Sequence, residues 1–149
     1  MTIGEPHFIK LVRIYDAPCE RVFAAWTDKE RLRRWFAPRG FTIEEYSGEG
    51  RPGAAWRVCF RSRQGGEYRS SGVCKEIAAP ERVVYTHSWE DENDARSPET
   101  TVTVRFSELA GRTLLEFHQA VFPDAESRDR HEEGWCTCLE RLAEHLDEK

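Results

Sequence analysis

No stretch of this sequence approaches the ~18 consecutive apolar residues of a membrane-crossing helix, so no membrane span is expected. The opening Met1-Thr2-Ile3-Gly4-Glu5-Pro6 lacks the basic segment followed by an apolar one that marks a secretory signal. A cytoplasmic location is the expectation. Cysteine is scarce and odd in number, five in 149 residues, which in a reducing compartment argues against a disulfide framework. Catalytic signatures are missing as well: there is no Gly-rich phosphate loop, no nucleophile elbow and no zinc-protease helix. Positive charge is not in excess. A net charge of −5 and a pI near 5.6 argue against a general nucleic-acid binder. Internal repeats and low-complexity stretches are absent too.

What is abundant is aromatic bulk. Five Trp and eight Phe suggest that large rings build or line the core. The length suits a single domain, 1–149, with one core. Charge is uneven: residues 1–82 carry 15 Lys/Arg against 11 Asp/Glu, and residues 83–149 carry 7 against 16. A solvated surface with a dipole is the simplest reading of that asymmetry.

Hydrophobic periodicity orders the chain. Phe8 to Tyr15 reads as a first strand, ended at Asp16-Ala17-Pro18. Pro18 suits the first turn of a helix, on which Val22, Phe23 and Trp26 share a face. A second short helix is expected from Thr27-Asp28-Lys29-Glu30, read as a capping box with Thr27 as cap. Phe41–Tyr46 alternates as strand two, and 54–63 and 67–77 read as a hairpin turning at Gly65-Gly66. On the next strand, Arg82 to Glu90, Val83, Tyr85, His87 and Trp89 fall on one side. Asp91 to Pro98 reads as an exposed acidic loop, and strands over 101–106 and 113–120 follow. A final helix opens at Pro123-Asp124, with Trp135, Cys138, Leu139, Leu142 and Leu146 as its apolar stripe. Antiparallel strands need one face covered, and only this helix is long enough to cover it. The expected fold is α+β: a curved antiparallel sheet of six to seven strands wrapped around a long C-terminal helix, with two short helices after strand one.

The motifs along the chain carry a resemblance. They are Ala17-Pro18 with Val22-Phe23, Trp26-Thr27-Asp28 running into Trp35-Phe36-Ala37-Pro38, Gly72 with Glu76-Ile77, Pro80 to Thr86, Leu115 to His118, and Gly134-Trp135 with Leu139 and Leu142. In order and spacing they resemble the activator of heat-shock protein 90 ATPase homologues, within the START-like (SRPBCC, Bet v 1-type) superfamily. The resemblance covers about residues 8–147. It implies a helix-grip fold with a deep cavity between sheet and final helix. It does not imply one function: superfamily members bind lipids, sterols and polyketides, a minority are enzymes, and the family name comes from a co-chaperone.

Candidate lining residues for such a cavity are Trp35, Trp56, Val58, Tyr85, His87, Trp89, Val104, His118, Trp135 and Leu139. His87 among aromatic rings can orient a polar ligand group or act as acid or base. Either face of the last strand can hold His118: Leu114 and Glu116 are in step with it, Leu115 and Phe117 oppose it. Glu76 depends on hairpin register: a three-residue loop at 65–67 sets it opposite Trp56, a two-residue loop opposite Ala55. Cys136-x-Cys138 with His131 is not read as a metal site, because helix residues two apart point about 200° apart. Arg31, Arg33, Arg34 and Arg39 read as a solvated helix face. The leading expectation is therefore a binding module for a small hydrophobic or amphipathic molecule, without cofactor or metal. The rivals are an enzyme using His87 and Glu76 as acid–base pair, and a co-chaperone-like interaction module. A homodimer is a further partner option that nothing in the sequence establishes.

Overall fold

The computed structural model describes residues 7–90 and 97–147. The Met1–Pro6 segment and most of the expected acidic loop, 91–96, lie outside the described residues. In chain order the elements are β1 (His7–Tyr15), α1 (Cys19–Thr27), α2 (Lys29–Trp35), β2 (Phe41–Gly48), β3 (Ala55–Ser62), β4 (Glu67–Ala78), β5 (Arg82–Glu90), β6 (Thr100–Leu109), β7 (Arg112–Phe122) and α3 (Ala125–Asp147). The seven strands form one antiparallel sheet in the order β1-β7-β6-β5-β4-β3-β2. Bulges at His7/Phe8, Ile43/Glu45 and Cys74/Glu76 add local bend and twist, which curves the sheet around α3.

Two local expectations are corrected. Thr27 does not cap α2: its hydroxyl donates back to the Phe23 carbonyl and closes α1. Asp28 is the cap, its carboxylate accepting from the Glu30 N–H at 3.0 Å. The β3–β4 hairpin turns through Arg63-Gln64-Gly65, closed by Ser62 and Gly66, two residues earlier than a 65–67 loop. Gly65 takes the left-handed conformation (φ +93°) that ends such a three-residue turn. Trp56 consequently pairs with Gly72 and Val58 with Ser70.

The concave face of the sheet is uneven in bulk. From β6 and β7 it receives Val102, Val104, Phe106, Leu115 and Phe117, all buried. From β4 the buried residues on this face are the small Ser70, Gly72 and Cys74, with the half-exposed Tyr68 at the rim of the larger cavity and Ile77 beyond the bulge. A side chain at Gly72 has no room: a Cβ there would lie 1.9 Å from the Thr86 carbonyl oxygen, which instead accepts from the Trp56 indole N–H. Helix α3 begins at Asp124, whose carboxylate accepts from the Ser127 N–H at 2.7 Å. It buries Trp135, Cys138, Leu139, Leu142 and Leu146 against the sheet. Its C-terminal half is tied down by Tyr15, whose hydroxyl donates to the Leu139 carbonyl, by Arg21 to the Leu146 carbonyl, and by Arg141 to the Ala37 carbonyl.

Candidate functional site

Small side chains on β4 opposite the N-terminal half of α3 leave a cavity of about 530 Å³. Its walls are chiefly aromatic, with Phe36, Phe60, Trp89, Phe122 and Trp135 among them. A second, smaller cavity of about 70 Å³ lies toward α1 and α2, behind Phe36 and Trp56.

Two hydrogen-bonded straps tie α3 to the sheet at the larger cavity. The first runs from the Trp89 indole N–H to His131 Nε2 at 2.6 Å, and from His131 Nδ1 to the Ser127 carbonyl at 2.7 Å. These partners fix His131 as the neutral Nδ1–H tautomer. The second runs from the Trp135 indole N–H to the Gln119 amide oxygen, from the Gln119 amide N–H to Thr100 Oγ1, each at 2.8 Å, and from that hydroxyl to the His87 carbonyl. Gln119 is fully buried, which its three-strand network makes affordable.

His87 lies in the wall of the larger cavity, 7% exposed, between the Trp56, Trp89 and His131 rings. Burial, with a smaller contribution from His131, pushes its pKa down to about 3. Its imidazole is therefore neutral at physiological pH. Burial also holds His131 below the ordinary value, with Arg130 acting in the same direction and its bond to the Ser127 carbonyl opposing. The Ser70 hydroxyl in the same wall, and Trp26 Nε1 and Tyr85 OH in the smaller cavity's wall, are buried polar atoms without a hydrogen-bond partner among the described residues. Interiors leave few polar atoms in this condition, at a cost of about 1–3 kcal/mol each.

The sequence candidates separate into four groups. His87, Trp89 and Trp135 line the larger cavity, and Trp56 and Tyr85 the smaller. Trp35, Val58, Val104 and Leu139 are packed in the core and form no part of either wall. His118 is on the convex face, exposed and stacked on Phe8 at 5.6 Å, because Gln119 rather than His118 shares the inner face with Leu115 and Phe117. Glu76 is spent on an ion pair with Arg82 (2.5 Å), placed there by the bulge that re-aims β4 after Cys74. No Asp or Glu lines either cavity among the described residues, so the His87–Glu76 acid–base pair is not assembled. The structure adds Ser70, Thr100, Phe122 and His131 to the larger cavity's wall, His131 being named by the sequence only beside the two cysteines, and sets Gln119 between Thr100 and Trp135. The signal for Gln119 was its step with Leu115 and Phe117.

Metal chemistry finds little here. Glu44, Cys59 and Glu67 converge on the exposed face with ligand atoms within 4.8 Å. Arg61 already occupies the centre of that cluster, bonded to Glu44 at 2.9 Å and to Glu67 at 2.7 Å. Burial pushes the Cys138 thiol up to about 12, so it stays protonated. No helix among the described residues is long and apolar enough to cross a membrane.

Residues 16–147 match the model of the family described as activator of Hsp90 ATPase homolog 1-like protein, AHSA1. The chain belongs to that family. Solved structures agree with the sheet-and-helix architecture. The AHSA1 protein of Silicibacter pomeroyi is 29% identical and superposes with a TM-score of 0.85, over 94% of this chain and 97% of that one. A protein of Chromobacterium violaceum is 28% identical, with a TM-score of 0.86 over 95% and 98% of the two chains. CalU16 of Micromonospora echinospora is 30% identical, with a TM-score of 0.72 over 97% and 79%. No curated protein matched the sequence. The AHSA1 fold is thus shared with these structures.

Proposed function

We propose that this AHSA1 protein binds one small, mostly apolar molecule in the larger cavity between β3–β5 and the N-terminal half of α3. One observation carries the reading: a hollow of about 530 Å³ walled by aromatic rings, against about 70 Å³ in the smaller cavity. Cavities of a few hundred Å³ lined by apolar and aromatic side chains with a few polar groups are the usual chemistry of small-molecule sites. His87 and Ser70 supply the polar groups, and Trp89 and Trp135 the stacking surfaces.

The test is fluorescence titration with N-phenyl-1-naphthylamine, an uncharged dye that brightens in apolar surroundings. Saturable binding at one dye per chain is expected. Ser127→Trp sets an indole in the wall on the first turn of α3, where the bonds to Asp124 and His131 are made by the Ser127 backbone and not by its side chain. It should weaken the dye by about tenfold or more. Non-saturable binding, or an unchanged affinity in the variant, would overturn the reading.

A further inference from the structure

Toward the rim the larger cavity carries the Tyr68 and Ser127 hydroxyls and Arg130; deeper in, most polar groups are committed. The Trp89 and Trp135 indole N–H groups donate to His131 and Gln119. Both His131 ring nitrogens are bonded, and the Thr100 hydroxyl both accepts from Gln119 and donates to the His87 carbonyl. Ser97 Oγ accepts from the Trp89 backbone N–H. Two deep groups are left over among the described residues: the Ser70 hydroxyl and the His87 ring.

Those two groups are neighbours on the inner face. Ser70 pairs with Trp89 across the β4–β5 ladder, which sets His87 one pleat away from it on the same side. Ser70 is 1% exposed, with its hydroxyl unpartnered. Both groups are amphoteric hydrogen bonders: a hydroxyl donates and accepts, and a neutral imidazole does one of each. Neither carries charge. The cation in this wall is Arg130, whose side chain belongs to an exposed residue on the first turns of α3, away from the strand face that holds Ser70 and His87. A carboxylate carried down to Ser70 would be buried without a countercharge, which is costly.

We propose that the larger cavity selects an uncharged aromatic or polycyclic molecule bearing a hydroxyl or carbonyl group, with that group bonded to the Ser70 hydroxyl and the His87 ring, over the matching carboxylate. The inference rests on the binding reading above and narrows it to a ligand class.

Three matched probes separate the possibilities: biphenyl, 4-phenylphenol and 4-phenylbenzoate, each measured by equilibrium dialysis near neutral pH against the full chain. The phenol should bind about tenfold tighter than biphenyl, and the benzoate more weakly than the phenol. Ser70→Ala should remove most of the phenol's advantage over biphenyl. That variant breaks no hydrogen bond in the unliganded protein and removes an unpartnered buried hydroxyl, so its thermal unfolding should be at or above the parent's. His87→Phe should act in the same direction, and Ser70→Ala alone decides if His87→Phe does not fold. If biphenyl binds but the phenol binds no tighter, or Ser70→Ala changes nothing, the anchor is wrong and the cavity reading stands. If the benzoate binds best and Arg130→Gln weakens it, the site takes acids at its rim and the proposal falls. If no probe binds, both readings fall.

Discussion

The two halves of the concave face are covered by one helix and filled very differently. Beneath the C-terminal half of α3 and beside α1 and α2, rings and branched chains interlock. Trp26 meets Trp35 edge-on at 4.8 Å, Phe23 meets Phe106 at 5.4 Å, and Leu142 is fully buried. Beneath the N-terminal half, contact passes through a few polar links, and about 530 Å³ is left open. The difference originates in the strands rather than in the helix. Strands β6 and β7 bury Val, Leu and Phe on this face, while the residues β4 buries there are Ser70, Gly72 and Cys74. One half supplies stability by dense packing. The other gives up packing for space, and its aromatic side chains are held by directed hydrogen bonds.

That division predicts where stability resides. Leu142→Ala, in the filled half, should cost about 3 kcal/mol in urea unfolding, since rigid neighbours cannot collapse into the space left behind. The loss should be the same at all pH values. A cost below about 1 kcal/mol would mean that the lower half is itself loosely packed, and the contrast would disappear.

The hollow half should be the acid-labile one. An imidazole that stays neutral in the folded state but takes a proton at its ordinary pKa of 6.5 when unfolded draws the equilibrium toward unfolding in acid. His87, with a folded value of about 3, contributes no penalty above pH 6.5. As the pH falls from 6.5 toward 3, stability should drop by up to about 1.4 kcal/mol per pH unit on its account. His131, lowered chiefly by its burial, adds in the same direction, and a proton on Nε2 would also displace the Trp89 indole N–H. Urea midpoints across this range should fall steeply for the parent and less steeply for His87→Phe. Parallel slopes would show that the acid sensitivity lies elsewhere.

Much of this architecture was legible because its periodicities are long. The α3 stripe of Trp135, Cys138, Leu139, Leu142 and Leu146 is the buried one, and the inward row Val83, Tyr85, His87, Trp89 on β5 follows from strict alternation. The readings that depended on a single residue of register were harder. A Gly-Gly pair announces a turn without saying which glycine takes the left-handed position, and the hairpin slid accordingly. The bulge after Cys74 leaves no mark in the residue pattern, yet it decides that Glu76 meets Arg82 instead of the cavity. On β7 the run is short, and Leu114 opposes Leu115 and Phe117 across the strand; the inner face that the fold selects is the one that Gln119 shares with Leu115 and Phe117, not the one with His118. Ser70 is masked for a different reason: the Ser70-Ser71 pair puts one serine on each face of the strand, and only three small residues in step, Ser70, Gly72 and Cys74, hint at a hollow.

The smallest predicted effect concerns Gly134, which sits inside α3 where the helix passes over the cavity. A glycine within a helix costs about 0.5–1 kcal/mol relative to alanine, through its larger loss of backbone freedom on folding. The space it leaves is not needed sterically: a Cβ there would meet only Pro38 Cγ, at an ordinary 3.7 Å. Gly134→Ala should therefore raise stability by about 0.5–1 kcal/mol, visible as a higher urea midpoint. It should leave the dye affinity within about twofold of the parent. A gain in stability with a loss of binding would sharpen the contrast, since it would make the glycine part of what keeps this half of the face open. A loss of stability would mean that α3 and the segment after α2 approach more closely than 3.7 Å allows, and the hollow would then be narrower than its walls indicate.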